Sequence, residues 1–426
     1  MKEDLVKARK QNMRLYALYR PISLDLLFYY CIEFLFLTQV KQISASHVVL
    51  GSSFYAIFMI IWQIPASVII DKIGTKRCTV LANVFNVLYL ILIMGCTGLE
   101  TLILAQFFSS LCFTLKDISD IALLEYSIPE TSNKGAIFSK IEGKAYKDYY
   151  LFNCISSVIC GFLYAFNNYL PMIISLMISI LAVVMSLGFK ELGEKSEKKQ
   201  NSQEKMINYF QDLKKGMQFI FKSPRLRSLF ICVGITWGIF CLMGTYQSSI
   251  LVDIGASAQV ISIVTALSSL ASSIGLKRQA KFHRHFKNKT LSTILIVMIV
   301  TIFVIGITGI LQLPYDTTLI IIVLAFLVFY SVKGINNVLL DRYLSNFAKE
   351  NIITQILAVK AISKNVFRSC IGFLGAYLLD ITNTANATIL VGIVLLIATL
   401  GLVSYMQTRL GLKPEEYDEK DIISIK

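Results

Sequence analysis

The sequence predicts an all-α membrane protein with twelve transmembrane helices. Of its 426 residues, 55% are hydrophobic and only 16% are charged, and the mean hydropathy of +0.64 is too high for a soluble protein of this length. Apolar runs of about 20 residues recur, and each can cross the bilayer as a helix that satisfies its own backbone hydrogen bonds. The predicted spans are 17–40, 46–70, 78–98, 100–126, 146–167, 169–188, 228–252, 258–276, 291–311, 317–340, 355–379 and 387–407.

The basic residues predict how these helices are oriented. Short loops that follow odd-numbered helices hold Lys41 as their single lysine and no arginine, whereas the opposite loops hold nearly all the basic residues. Basic loops stay on the cytoplasmic side of a membrane. We therefore expect a plasma-membrane protein with both termini in the cytoplasm. The net charge of +14 follows from this topology and needs no nucleic-acid partner.

The spans group into two pseudo-symmetric six-helix bundles. A polar central segment separates them, and within it apolar residues recur at helical spacing, which predicts an amphipathic helix on the inner face. The predicted division is an N-terminal bundle at 1–188, a cytoplasmic linker at 189–227, a C-terminal bundle at 228–409 and a cytoplasmic tail at 410–426.

The first span carries two acidic residues. Asp25, Tyr29 and Glu33 follow one another at i, i+4 and i+8, which places them on one drifting stripe of a continuous helix. Neither acid has a basic neighbour in its own span. Such intramembrane acids either pair with another helix for packing or bind a proton or cation, and the missing local partner favours the second interpretation.

The loop after helix 2 identifies a family. It needs Gly74 for a tight turn, and Asp71 can accept hydrogen bonds from backbone N–H groups at a helix start. The loop resembles the signature G-x-x-x-D-[RK]-x-G-[RK]-[RK] of the major facilitator superfamily, with Ser67 in place of the first glycine and Thr75 in place of one base. The resemblance implies the major facilitator fold, alternating access and a conformational latch. We call residues 71–77 the latch loop, and its expected functional residues are Asp71, Lys72, Gly74, Lys76 and Arg77.

Helix 4 carries an unusual set of charges. Lys116 and Asp120 stand at i, i+4 and can neutralise each other, which leaves Asp117 without a local partner. The run from Asp120 to Leu124 resembles the D-x-A-L-[LI] run of Gram-positive exporters. An internal repeat at an offset of 216 residues maps Asp117 onto Lys333 and suggests a pair across the central cavity.

Helix 11 carries Lys360, Lys364 and Arg368 at i, i+4 and i+8. The two lysines are expected to snorkel to the interface. Arg368 lies about 18 Å from the outer end of the helix at 1.5 Å per residue, near mid-membrane. It is a candidate counter-ion for a helix 1 acid or ligand for an anionic substrate.

These observations favour a secondary transporter over an enzyme or an ATP-driven pump. The sequence contains no nucleotide-binding loop or nucleophile triad, and no cofactor is expected. His283 and His285, in a loop predicted at 277–289, lack a third ligand and are expected to be solvated, so no metal site is predicted.

The sequence predicts a monomeric, proton-coupled multidrug efflux antiporter of small amphipathic compounds, with the substrate, protons and the lipid bilayer as its partners. Two alternatives stay open. One is a proton-coupled uptake symporter of a small anionic solute, and the other is a membrane sensor or scaffold that transports nothing.

Overall fold

The structure, a computed structural model, describes residues 2–129, 132–192, 202–222, 224–286, 289–311, 313–347 and 353–407, and almost all of these are helical. No strand occurs within these ranges. The elements are α1 (Lys2–Ser23), α2 (Glu33–Leu35), a π-helical turn (Phe36–Val40), α3 (Ala45–Ile73), α4 (Thr75–Met94), α5 (Leu99–Ser127), α6 (Lys134–Phe166), α7 (Leu170–Leu187), α8 (Ser202–Lys222), α9 (Pro224–Asp253), α10 (Ala258–Phe286), α11 (Thr290–Ile310), α12 (Tyr315–Phe347), α13 (Ile353–Ile381) and α14 (Thr384–Gln407).

The helices confirm the predicted class of all-α membrane protein. Within the described ranges, ten helices are long and apolar enough to cross a membrane. The two further predicted spans correspond to α1 with the segment that follows it, and to α13. Helix α13 has 29 residues, ample to cross a bilayer, but its three cations interrupt the apolar sequence.

The first predicted span is a broken helix, which corrects the expected continuous stripe of Asp25, Tyr29 and Glu33. Helix α1 ends at Ser23, the chain turns through 24–32, and helical geometry resumes at Glu33. Phe28 has a left-handed φ of 65° inside this break. Asp25 contributes to the break because its side chain accepts the backbone N–H of Leu26, in competition with the helical pattern.

The loop predicted at 277–289 is helical through Phe286, because α10 continues past its expected end. The expectation of a solvated His283 is wrong. Its side chain is only 8% exposed, and Nδ1 lies 2.9 Å from the hydroxyl of Thr290 at the start of α11. The histidine therefore ties the end of α10 to the next helix.

The chain forms two compact units, which interleave along the sequence. The first unit comprises Met1–Ser44, Phe54–Tyr209 and Ala258–Ile263, and the second comprises Ala45–Ser53, Phe210–Ser257 and Val264–Lys426. The boundaries predicted at 188 and 227 stay a prediction, and the predicted tail at 410–426 lies outside the described residues.

In the first unit, α1 packs against α5, α6 and α7. A buried cluster at this contact includes Tyr16, Tyr19, Leu124 and Phe189. The rings of Tyr19 and Phe189 meet edge to face at 5.3 Å, a favourable arrangement of aromatic quadrupoles. The contact fixes the C-terminal half of α1 against the end of α7.

In the second unit, α10 and α12 cross with their backbones in contact. A Cβ atom on Gly275 would overlap the carbonyl oxygen of Ser331, and one on Gly334 would overlap the carbonyl oxygen of Ser272. Reciprocal glycines allow this approach, as small residues generally do between membrane helices. The crossing also fixes the position of Lys333, which adjoins it in sequence.

Candidate functional site

Asp120 lies at the centre of a buried polar cluster in the first unit. Its Oδ2 atom pairs with Nη1 of Arg20 at 2.9 Å, and the two side chains are 0% and 3% exposed. Thr79 donates its hydroxyl to Oδ1 at 3.1 Å, and the hydroxyl of Tyr19 lies 3.3 Å from both oxygens. The ion-pair partner of Asp120 is thus Arg20, whereas the sequence suggested Lys116.

Glu142 of α6 extends this cluster. Its Oε1 atom lies 3.5 Å from Nε of Arg20, and its Oε2 atom accepts the hydroxyl of Tyr16 at 2.7 Å. Asn83 donates to the hydroxyl of Tyr19 at 2.7 Å. The cluster therefore joins four helices, α1, α4, α5 and α6, through contacts with the buried carboxylate of Asp120 and the partly buried carboxylate of Glu142.

Lys116 stabilises the break in the first span. The side chain is only 2% exposed, and its ammonium donates to the carbonyl oxygen of Ser23, the last residue of α1, at 2.5 Å. Carbonyl groups at the C-terminal end of a helix carry partial negative charge and lack intrahelical partners. Lys116 supplies both a donor and a positive charge at this end.

Asp25 lies inside the break and is bound by neutral donors. Its Oδ1 atom accepts the N–H of Leu26 at 2.9 Å, and its Oδ2 atom accepts the hydroxyl of Tyr149 at 2.9 Å. Among the residues that the structure describes, no cation lies within ion-pair distance of this carboxylate. Asp25 thus differs from Asp120, whose carboxylate is paired with an arginine.

Glu33 ends a short chain of hydroxyl groups. Tyr29 donates to Oε1 of Glu33 at 3.0 Å, and Tyr89 of α4 donates to the hydroxyl of Tyr29 at 2.7 Å. Both tyrosines are buried. The structure brings Tyr29 and Glu33 into contact, and it adds Tyr89 of α4, which no sequence pattern indicates.

Asp117 and Lys333 occupy different surroundings. Asp117 is on the exposed side of α5 and makes no hydrogen bond or ion pair with any residue that the structure describes. Lys333 lies over two aromatic rings, with Nζ 5.1 Å from the centroid of Tyr330 and 5.8 Å from that of Phe240. Asp117 belongs to the first unit and Lys333 to the second, and their pairing stays a prediction.

Arg368 binds a hydroxyl group within the second unit. Its Nη2 atom donates to Oγ of Ser52 at 2.9 Å, and the side chain is half-buried. Ser52 lies in the first turns of α3, a part of the chain that belongs to this unit. Arg368 therefore links α13 to the start of α3 within this unit.

The latch loop holds a sharp turn and a capped helix. Gly74 has a φ of 88°, which only glycine adopts readily. Glu191, after the end of α7, accepts the N–H of Thr75 at 3.2 Å and that of Lys76 at 2.9 Å. Glu191 thus fills the role at the start of α4 that the sequence assigned to Asp71. The side chains of Asp71, Lys72 and Arg77 are exposed.

Glu191→Ala is expected to lower the free energy of unfolding by about 1 kcal/mol, because it removes the acceptor at the N-terminus of α4. Thermal melting of the purified protein in detergent measures this loss. Glu191→Gln keeps one acceptor oxygen, so its melting temperature is expected to lie between those of the wild type and Glu191→Ala. An alanine variant that melts with the wild type would contradict the capping role.

The described residues contain no group of three or more His, Cys, Asp or Glu side chains that could hold a metal ion. The site consists instead of carboxylates, cations and hydroxyl groups inside apolar helices. Ionisable groups at membrane depth are rare and mark ion or substrate pathways. The fold and these groups together define an α-helical membrane transporter.

The family follows from a comparison with known proteins. A sequence model of the Major Facilitator Superfamily matches residues 24–369. The chain belongs to this superfamily and is a multi-pass membrane transporter rather than an enzyme. No curated protein sequence matches the chain.

Solved structures agree with this fold. A mutant of the nucleoside transporter NupG aligns with a TM-score of 0.71 and 12% identity, over 94% of this chain and 99% of that one. A D-xylose-proton symporter gives 0.66 and 11%, over 92% and 97%. A POT family transporter in complex with 5-aminolevulinic acid gives 0.65 and 14%, over 95% and 96%. At these identities the similarity concerns the fold alone.

Proposed function

We propose that this transporter is driven by the proton gradient and that Asp25 carries the proton. The observation behind the proposal is the binding of Asp25 by Tyr149 and a backbone N–H, without an ion pair among the described residues. A tyrosine hydroxyl can donate to a carboxylate and can accept from a carboxyl group. Asp25 can therefore change its protonation state without leaving a buried polar atom unpaired.

The other acids suit this role less well. Asp120 is paired with the guanidinium of Arg20, which only donates hydrogen bonds and stays charged. Protonation of Asp120 would break that pair and leave the buried guanidinium of Arg20 only its longer contact with Glu142, at 3.5 Å. Glu33 accepts from Tyr29 and is the second candidate.

The proposed transport is export of small amphipathic compounds by a monomer in the plasma membrane, with both termini in the cytoplasm. Asp25 takes up a proton from outside and releases it inside in exchange for substrate, as the two bundles alternate in access. The distribution of basic loops supports the orientation, and the D-x-A-L-[LI] run supports export. Proton coupling has a precedent on this fold in the D-xylose-proton symporter.

Asp25→Asn is expected to abolish proton-coupled transport while the protein still reaches the membrane. The amide keeps an acceptor and nearly the same shape but cannot bind and release a proton. The measurement is accumulation of a fluorescent amphipathic dye in expressing cells, together with proton release in everted vesicles upon dye addition. We expect dye accumulation to rise to the level of cells without the transporter, and proton release to fall at least tenfold.

Glu125→Gln is the matched control, since its side chain is 57% exposed at the end of α5 and pairs only loosely with Lys134 at 3.8 Å. This variant should transport as the wild type does. Normal proton release by Asp25→Asn would exclude Asp25 as the proton carrier. Glu33→Gln would then be measured in the same assay, since Glu33 is the second candidate. Absence of proton release in the wild type would exclude proton antiport.

Uptake of a small anionic solute by proton symport is the second candidate. It is favoured by the cations inside the second unit, of which Lys333 lies among aromatic rings and Arg368 is half-buried beside Ser52. Symport predicts counterflow of an anionic metabolite into proteoliposomes. A sensor or scaffold predicts no transport in either assay.

A further inference from the structure

The C-terminal end of α10 carries a row of exposed cations. Lys277, Lys281 and Arg284 stand at i, i+4 and i+7, so they share one face of the helix. All three side chains are exposed, and none makes a hydrogen bond or ion pair with a residue that the structure describes. We call these three residues the basic stripe. No acid next to it in sequence can neutralise its charge, because residues 254–315 contain no Asp or Glu.

The same face of α10 is apolar in the preceding turns. Leu267, Leu270 and Ile274 precede Lys277 at spacings of 3, 4 and 3 residues, which keeps them in line with the basic stripe. Their side chains are 39%, 47% and 51% exposed. Large exposed apolar side chains on a membrane-crossing helix contact lipid chains rather than water. One face of the helix therefore passes from apolar to basic at Lys277.

The basic stripe has about the length of a lipid headgroup layer. From Lys277 to Arg284 the helix rises about 10 Å, at about 1.5 Å per residue. The polar headgroup region on each side of the hydrocarbon core is roughly 5–8 Å thick. With Ile274 among the lipid chains, the cations of the stripe therefore lie at the depth of the lipid phosphates or just beyond it.

The extension of α10 past its expected end creates this alignment. Residues 277–289 were predicted to form a loop, in which the spacing of three cations would not place them on one face. In the structure α10 continues through Phe286. His283, on the opposite side of the helix from the stripe, contacts Thr290 of α11. The end of α10 is thus held from its buried side, and its exposed side presents the cations.

We propose that this face of α10 binds an anionic phospholipid, with the phosphate at the basic stripe and the acyl chains along Leu267, Leu270 and Ile274. Basic clusters directly beyond a membrane span attract acidic lipid headgroups. Arg284 can bind a phosphate through two parallel N–H groups, and the lysines add two further positive charges. A phospholipid needs a charged and an apolar contact on the same face, and α10 offers both. The inference rests on the proposed orientation only for the leaflet, which is the inner one.

The test uses the full-length protein in detergent and native mass spectrometry, which counts the lipids bound at each lipid concentration. Dioleoyl phosphatidylglycerol is the anionic probe, and dioleoyl phosphatidylcholine has the same chains and a phosphate but no net charge. Phosphatidylglycerol is expected to bind at least tenfold more tightly than phosphatidylcholine. Equal binding of the two lipids overturns the proposal.

Glycerol 3-phosphate distinguishes a lipid from a soluble anion, because it has the charged phosphate without the chains. Added at the concentration of the lipid, it should not displace phosphatidylglycerol. Displacement would identify a soluble anion as the occupant and would overturn the proposal.

Arginine variants assign the binding to the basic stripe. Arg284→Gln should weaken phosphatidylglycerol binding by about fivefold, the usual effect of one basic residue at an anionic surface. Arg284→Lys keeps the charge and should retain most of the binding. Arg278→Gln is the matched control, because Arg278 is also exposed on α10 but points about 100° away from Lys277. It should weaken binding less than twofold.

Two results with these variants would overturn the assignment. One is unchanged phosphatidylglycerol binding by Arg284→Gln, and the other is equal weakening by Arg278→Gln and Arg284→Gln. Both arginines are exposed, so the variants should melt with the wild type when no lipid is added. The assay involves neither a proton gradient nor a transported substrate. Proton release without a lipid preference would contradict only this inference, and a lipid preference without proton release would contradict only the transport mechanism.

Discussion

Arg20→Met is expected to lower the free energy of unfolding by about 3–5 kcal/mol, the usual cost of removing one partner of a buried ion pair. Asp120 would keep its carboxylate at 0% exposure with only hydroxyl donors from Tyr19 and Thr79. Glu142 would lose the same guanidinium. Thermal melting of the detergent-solubilised protein measures the effect, together with the yield of monodisperse protein on size exclusion.

The double variant Arg20→Met with Asp120→Leu tests whether the loss comes from an unpaired buried charge or from altered packing. It replaces the Arg20–Asp120 pair by apolar side chains, so only the partly exposed Glu142 keeps its charge in the cluster, and melting should recover most of the loss. Glu125→Gln, at the exposed pair with Lys134, should change stability by less than about 1 kcal/mol. An Arg20→Met variant that melts with the wild type would show that the buried pair contributes nothing to the fold.

The helices were largely predictable from the sequence, and the break in the first span was not. Length and hydropathy locate a membrane span because the bilayer imposes both. The same apolar composition hides an interruption such as 24–32, where backbone groups are satisfied inside the protein. The break is held by Lys116 and Cys160, which donate to carbonyl groups of Ser23 and Phe28. Neither contact has a local sequence signal.

The site was predictable to the extent that its contacts are local. Tyr29 and Glu33 stand only four residues apart in sequence, and they hydrogen-bond although the helix expected there is broken. Arg20 and Asp120 are 100 residues apart, so helical spacing led to Lys116 as the partner instead. The sequence did offer one signal for this pair. Arg20 is a cation at the edge of an apolar span, and a cation at membrane depth requires an acidic partner.

Gly334→Ala is expected to destabilise the protein by about 3 kcal/mol, more than its single methyl group suggests. The added Cβ would overlap the backbone carbonyl of Ser272, which is part of α10 and cannot turn away as a side chain can. Helices α10 and α12 must then separate at their crossing, with the loss of packing that overfilled cores show. Melting of the purified variant measures the loss, and Gly275→Ala should give a similar one.

Gly401→Ala is the same substitution in α14, and we expect it to stabilise the protein where Gly334→Ala destabilises it. A Cβ at Gly401 meets nothing within 4 Å, so the change only raises helix propensity, by up to about 1 kcal/mol. If Gly334→Ala destabilises the protein and Gly401→Ala stabilises it, backbone contact is the cause, since both substitutions add the same methyl group to a helix. Equal effects at both positions would contradict the crossing. Lys333 adjoins Gly334 in sequence. In a Gly334→Ala variant that folds, the ammonium of Lys333 should therefore move away from the rings of Phe240 and Tyr330.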